Sequence, residues 1–184
     1  MPRILMIVGS LREHSFNRQL AREVERIIGD RAEVSYLDWH DVPFMDQDIE
    51  WPTPEPVAAA RAAVLSADGL WFFSPEYNYQ IPGGLKNLLD WLSRPLDEHD
   101  RTSPSAIKGK RAAVSGVGGR GATAGMRKDL ERLFAAIGVE RIGGPSLGFT
   151  LSPEEWTSDT LALEPGTMGA LEAAVDDYLA ALER

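Results

Sequence analysis

Arg3-Ile-Leu-Met-Ile-Val8 runs directly into Gly9-Ser-Leu-Arg-Glu-His-Ser-Phe-Asn17, and that junction decides the fold. The first stretch is almost continuously apolar, without polar alternation. Short runs of this kind mark strands buried on both faces, the habit of parallel sheets covered by helices. A polar loop follows, and then a helical pattern begins. Phe16, Leu20, Val24, Ile27 and Ile28 share one helical face. Ser15 stands at the N-cap position, where its oxygen can accept from a free N–H, and Gly29 stands where helices end. Strand, loop and helix in this order predict the first βα unit of a doubly wound domain.

The rest of the chain repeats the unit. Ala32–Leu37 reads as a second strand, and residues 38–56 as a long connection holding Pro43, Pro52, Pro54 and Pro56. A connection of that length is either functional or a surface excursion. A helix over Val57–Ser66 leads to a buried strand, Leu70–Phe73, and a loop, Ser74–Gly83, to a helix over Gly84–Arg94. Arg111–Ser115 is a fourth strand. Beyond it Met126, Leu130, Leu133, Phe134 and Ile137 share a helix face that Gly138 ends. A fifth strand is expected within Arg141–Phe149 and a terminal helix over Thr167–Glu183. Such alternation predicts an α/β fold, a doubly wound parallel sheet with helices on both faces. No linker or repeat divides it, so 1–184 is expected to be a single domain.

Composition narrows the function. The net charge of −9 argues against a nucleic-acid binder, and the basic run Lys108-Gly-Lys-Arg111 reads as a solvated strand entrance. With no cysteine there is no disulfide framework or thiolate site, which suits a reducing cytoplasm. Pro2–Val8 is too short for a signal-peptide core, and no stretch is long enough to span a membrane. His14, His40 and His99 are dispersed, Asp46–Glu50 lacks a calcium-loop pattern and there is no Walker motif. No metal site is expected.

Ligands of open α/β sheets bind beyond the carboxyl ends of the strands. The unusual residues of this chain fall at three such ends. In the first loop the hydroxyls of Ser10 and Ser15, the Arg12 guanidinium and the Asn17 amide can converge with free helix N–H groups into a phosphate site. The helix dipole adds only about 0.3–1 kcal/mol, so specific hydrogen bonds must supply most of the affinity. The second loop, Ser74–Gly84, has an irregular backbone set by two prolines and two glycines. Tyr77 and Tyr79 there are ligand faces, core residues or subunit contacts. The third loop, Ser115-Gly-Val-Gly-Gly-Arg-Gly121, contains G-x-G-x-x-G at Gly116, Gly118 and Gly121, with Glu140 beyond. A dinucleotide fingerprint belongs in the first βα turn, so here the glycines read instead as close backbone approach to a planar ring.

Together Gly9-Ser-Leu-Arg-x-x-Ser-x-Asn17, Ser74-Pro-Glu-Tyr-Asn78, Pro82-Gly-x-Leu-Lys-Asn87 with Asp90-Trp91, and Gly118-Gly119 resemble the NADPH-dependent FMN reductase family. The resemblance covers about residues 3 to 138. It implies a flavodoxin-like five-stranded sheet of order 2-1-3-4-5, FMN as cofactor, and NADPH or NADH as co-substrate. It also implies a small-molecule electron acceptor of quinone, azo, nitro or metal-oxyanion type, and a homodimer or homotetramer. By resemblance Ser10, Arg12, Ser15 and Asn17, beside Phe16, hold the FMN phosphate. Pro75, Glu76, Tyr77 and Asn78 line the isoalloxazine, and Ser115, Gly118 and Gly119 close its other edge. Glu76 and Arg94 are subunit-contact residues, a plain surface ion pair or unpaired charges. Gln80 departs from the small hydroxyl residue common in the family, and Thr150–Gly166, with Trp156, has no counterpart in the motifs. That segment is a lid, an oligomer contact or simple surface.

Hydride transfer through a flavin needs stacking rather than a side-chain acid or base, so no catalytic side chain is expected. The expected activity is a ping-pong NAD(P)H oxidoreductase of the FMN or quinone reductase type. The alternatives are a flavodoxin-type electron carrier, for which acidic charge also serves docking, and a flavin-free sensor or interaction module.

Overall fold

The apolar runs Arg3–Val8 and Leu70–Phe73 lie in central strands of one parallel sheet. The computed structural model describes residues 1–184. Its strands are β1 (Arg3–Val8), β2 (Glu33–Tyr36), β3 (Gly69–Phe73), β4 (Arg111–Gly118), β5 (Glu140–Arg141) and β6 (Leu147–Thr150). The order is β2-β1-β3-β4-β5, with β6 also paired to β4, as in the flavodoxin-like arrangement.

The fifth strand position departs from expectation. Glu140 pairs with Arg111 at the start of β4, while Leu147 pairs with Ser115 near its end. Gly143 and Gly144 have φ of 78° and 73° and precede Pro145. This left-handed pair turns the chain out of the sheet, so the strand is split in two.

Alternation along the central strands sorts the core into two layers. Leu5, Ile7, Leu70 and Phe72 face α2 (Glu55–Ser66), α3 (Gly83–Leu92) and α4 (Ala124–Ile137). Ile4, Met6, Val8, Trp71 and Phe73 face α1 (Phe16–Ile28) and α6 (Pro165–Leu182). Each large side chain buried this way contributes about 1.5–3 kcal/mol of transfer free energy. The layers fix the strand ends, and with them the loops that leave the sheet above β1, β3 and β4.

The connection between β2 and α2 is tied down by α3. Asn87 Nδ2 and Trp91 Nε1 each donate to the Pro43 carbonyl at 2.8 Å, and Asn87 Oδ1 accepts from Met45 N–H at 2.7 Å. Its far end is held by the buried Glu50, whose two oxygens accept from Arg94 Nε and Nη2 at 2.8 and 2.9 Å. The Arg94 hydrogen bond holds the Glu50 carboxyl below the ordinary carboxylate range, against the burial that would raise it.

Candidate functional site

The three strand-end loops meet at one cleft of about 370 Å³, within the size range of small-ligand pockets. Ser10, Arg12, Ser15, Phe16 and Asn17 line it from the first loop and α1, Pro75, Glu76 and Tyr77 from the second, and Val117, Gly118 and Gly119 from the third.

The first loop is a ring of donors. Ser15 caps α1, its Oγ accepting from Asn17 N–H at 3.2 Å. The N–H groups of Leu11, Glu13, His14 and Phe16 have no protein acceptor. With the hydroxyls of Ser10 and Ser15 and the positive helix end, they favour a bound anion. Asn17 has a structural duty as well. Its Nδ2 donates to the Val117 carbonyl and its Oδ1 accepts from Val117 N–H, both at 3.0 Å. This reciprocal pair staples the first loop to the third.

Glu76 makes the second staple. Helix α4 has no side-chain cap of its own, and Glu76 Oε2 accepts from Met126 N–H at 2.7 Å instead. A carboxylate at a helix N-terminus is stabilising. Beyond it Tyr77 and Gln80 close a two-residue hairpin through paired backbone bonds of 3.1 and 3.0 Å, with Asn78 and Tyr79 at φ of 51° and 64°. Positive φ at both central residues is the signature of a type I′ turn, in which asparagine is at ease and tyrosine is not.

Several expected residues stand elsewhere. Ser115 does not line the cleft; it is 1% exposed and its Oγ accepts from Trp71 Nε1 at 3.0 Å inside the core. Asn78 lies at the exposed tip of the hairpin, also outside the cleft lining. Arg94 pairs with Glu50, and Glu76 with the α4 terminus, so they do not pair with each other. Gly116 and Gly118 belong to β4 itself rather than to a turn, which removes the dinucleotide-fingerprint geometry. A Cβ on Gly116 would collide with Thr123 Oγ1 and come within 2.6 Å of the Ser74 carbonyl oxygen, so close packing against the start of α4 and the residue after β3 accounts for that glycine. Glu140, opposite Arg111, sits at the other end of the sheet.

The C-terminal segment supplies a wall that sequence reasoning left open. Leu151, Trp156 and Asp159 complete the cleft lining. A short helix, α5 (Pro153–Ser158), starts at a capping box in which Ser152 Oγ accepts from Glu155 N–H and Glu155 accepts from Ser152 N–H. Burial pushes the Glu155 carboxyl up, but hydrogen bonds from the N–H groups of Ser152 and Ala162 more than offset this and hold it low. Trp156 sets its edge on the Phe16 ring at 5.4 Å, and the Arg12 guanidinium lies 5.4 Å from the same ring. Asp159 accepts from Arg12 Nη1 at 2.8 and 2.9 Å. The pattern Ser152-Pro-Glu-Glu155 was a readable helix start; its place beside Arg12 had no local signal.

The lining suits FMN. A phosphate fits the donor ring around Ser10, Arg12 and Ser15. A flat ring fits between residues 75–77 and Gly118-Gly119, where a Cβ on Gly119 would meet nothing within 4 Å. A larger groove, about 640 Å³, lies at the opposite end, between the C-terminal ends of α3 and α4. Arg94, Arg101 and Lys108 line it, but no loop from the carboxyl ends of the strands reaches it.

A family model described as NADPH-dependent FMN reductase matches residues 2–152. The chain is 31% identical over 180 residues to a 2-hydroxy-1,4-benzoquinone reductase of a Burkholderia species, covering 97% of this chain and 94% of that protein. It is 34% identical over 181 residues to a quinone reductase of Pseudomonas putida, covering 95% and 91%. Among solved structures, FerB of Paracoccus denitrificans, a flavoenzyme NAD(P)H:(acceptor) oxidoreductase, superposes with a TM-score of 0.86 at 27% identity, covering 100% of this chain and 98% of that one. With that extent of match on a flavodoxin-like sheet, the chain belongs to the NADPH-dependent FMN reductase family of oxidoreductases.

Proposed function

We propose that the cleft binds FMN and that the protein is an NAD(P)H oxidoreductase passing electrons to small quinone-type acceptors in a ping-pong cycle. One observation carries this: residues from three strand-end loops, expected at an FMN site on sequence grounds, line a single cleft. Bound FMN would supply the acceptance of hydride from the nicotinamide and its delivery to the acceptor. The protein's part is to bind and orient. Ser10, Arg12, Ser15 and the free N–H groups of the first loop hold the phosphate. Pro75, Glu76 and Tyr77 set one edge of the ring, and Gly118 and Gly119 the other, with Asn78 and Ser115 serving through the backbone around them. Asn17 keeps the first and third loops at a fixed separation. The quinone reductases among the relatives support the acceptor class, and family membership favours a reductase over a flavodoxin-type carrier.

The 2′-phosphate of NADPH needs a basic contact, for which Arg12, Arg94 and Arg120 are the candidates. Arg12 is paired with Asp159 and Arg94 with Glu50, whereas the exposed Arg120, next to Gly119, has no carboxylate partner. Arg120→Ala is expected to raise the KM for NADPH several-fold and leave that for NADH unchanged. A homodimer or homotetramer is supported by Phe44 and Tyr79, which are 87% and 82% exposed, and light scattering tests it. No helix is long and apolar enough to cross a membrane, which fits work in the cytoplasm.

Anaerobic mixing with NADPH or NADH tests the central claim. The expected result is bleaching of a yellow chromophore, its return on adding a quinone, and parallel double-reciprocal lines in steady state. A folded protein that takes up no flavin would overturn the reading, and one that binds FMN but stays oxidised would be a carrier.

A further inference from the structure

Arg12 already holds an anion. Its Nη1 donates to both oxygens of Asp159, leaving Nε and Nη2 without a partner. The contact spans 147 positions of sequence, so the fold brings Asp159 to this guanidinium rather than local geometry. Asp159 sits at φ of 52°, directly after α5. Glycine or asparagine fills such a left-handed position more readily. Its surroundings hold it there: Gln19 of α1 donates to the Asp159 carbonyl at 3.1 Å and accepts from Leu161 N–H at 2.8 Å. A carboxylate is thus fixed by tertiary contacts on the residue that the cofactor reading gives to a phosphate.

We propose that Asp159 is a resident counter-anion for Arg12: it competes with the phosphate of an incoming ligand and so lowers the site's preference for phosphorylated over unphosphorylated flavin. This rests on the FMN reading above. Two effects of the carboxylate oppose each other. The ion pair orients Arg12, which would help a phosphate bind. The negative charge repels a phosphate dianion on the same guanidinium, which would hinder it. The pair's side chains are 49% and 45% exposed, and ion pairs that exposed change an equilibrium only about two- to fivefold. At low ionic strength, repulsion of a dianion sharing the guanidinium is on the order of tenfold even at the dielectric constant of water. Repulsion wins. Removing the charge at position 159 therefore tightens phosphate binding, while a flavin without phosphate feels neither effect.

The test is a titration of apoprotein with FMN and with riboflavin, followed by quenching of flavin fluorescence. Wild type is compared with Asp159→Asn and Asp159→Gly, both of which suit the left-handed backbone; thermal melts confirm folding. The expected result is a five- to tenfold fall in the Kd for FMN in both variants (about 1–1.4 kcal/mol), an unchanged Kd for riboflavin, and a gain that shrinks as salt is raised. FMN binding with an unchanged or reduced FMN-to-riboflavin preference would overturn this proposal and leave the cofactor reading standing. No quenching by either flavin in any of the three proteins would overturn both.

Discussion

Two segments stand out equally in the sequence and do opposite work. Gly9–Asn17 brings Ser10, Arg12, Ser15 and Asn17 to the cleft, whereas Pro82–Trp91 turns its polar side chains away. Asn87 and Trp91 take the Pro43 carbonyl, and Lys86 spends its charge on Asp90, four residues on, at 2.7 Å. One motif lines the cleft; the other is the clamp that ties down the long connection after β2. The difference teaches that polar groups at a helix start stay available to a ligand only where they and the backbone donors beside them lack protein partners. At the first loop those donors are free. At α3 the side chains find carbonyls of a neighbouring loop.

The largest effect expected lies on the clamp side. Glu50 faces Arg94 and lies near the buried Arg61, which is 5% exposed. Glu50→Gln leaves two guanidinium groups without an anion and is expected to cost about 3–5 kcal/mol, the usual loss when a buried pair is broken. The sign of the pH dependence follows from the depressed Glu50 carboxyl. Its contribution is complete above its unfolded value of about 4.3 and is lost as pH falls through the lower folded value. Urea midpoints between pH 3 and 6 should therefore drop more steeply for wild type than for the variant; equal slopes would remove Glu50 from the account.

Next comes the residue that belongs to both halves. Asn17 is 2% exposed and satisfies both backbone groups of Val117. Asn17→Ala orphans a buried N–H and a buried C=O, each costing about 1–3 kcal/mol. A loss of about 2–4 kcal/mol is expected by urea denaturation, together with loss of flavin binding as the two loops part. Arg12→Ala breaks the comparison from the other side. It is expected to leave stability within about 0.5 kcal/mol, as for an exposed pair. FMN binding should weaken roughly 10- to 100-fold, the range for hydrogen bonds to a charged group, with riboflavin binding unchanged.

Much of this architecture was legible in the chain. Apolar runs without alternation gave the central strands β1 and β3, and Ser15 and Gly29 the ends of α1, because strand burial and helix capping are local matters. That the first loop, Pro75–Tyr77 and Gly118-Gly119 would share one cleft was legible too, through spacing that places them at strand ends. What escaped the sequence is what depends on distant pairing. Ser115 looks like an edge residue until Trp71 of the neighbouring strand takes its hydroxyl. Glu76 looks like a free charge until α4 proves to lack a cap. Asp159 and Trp156 carry no motif, and they reach the cleft only because β6 returns along β4 and Leu151 N–H donates to the Gly118 carbonyl at 2.8 Å.

Asn87→Ala gives the smallest effect and the sharpest separation of the two segments. It removes the acceptor for Met45 N–H and one of two donors to Pro43. Trp91 still serves the carbonyl, so only one backbone group is orphaned, and that group is part-buried. The expected loss is about 1–2 kcal/mol, which shifts the melting temperature by about 2–8 °C in a domain of this size. Affinity for FMN should stay within about twofold, because nothing Asn87 touches lines the cleft. If FMN affinity instead fell as far as in Arg12→Ala, the connection after β2 would have to be counted as part of the binding surface, and the division between clamp and cleft would be wrong.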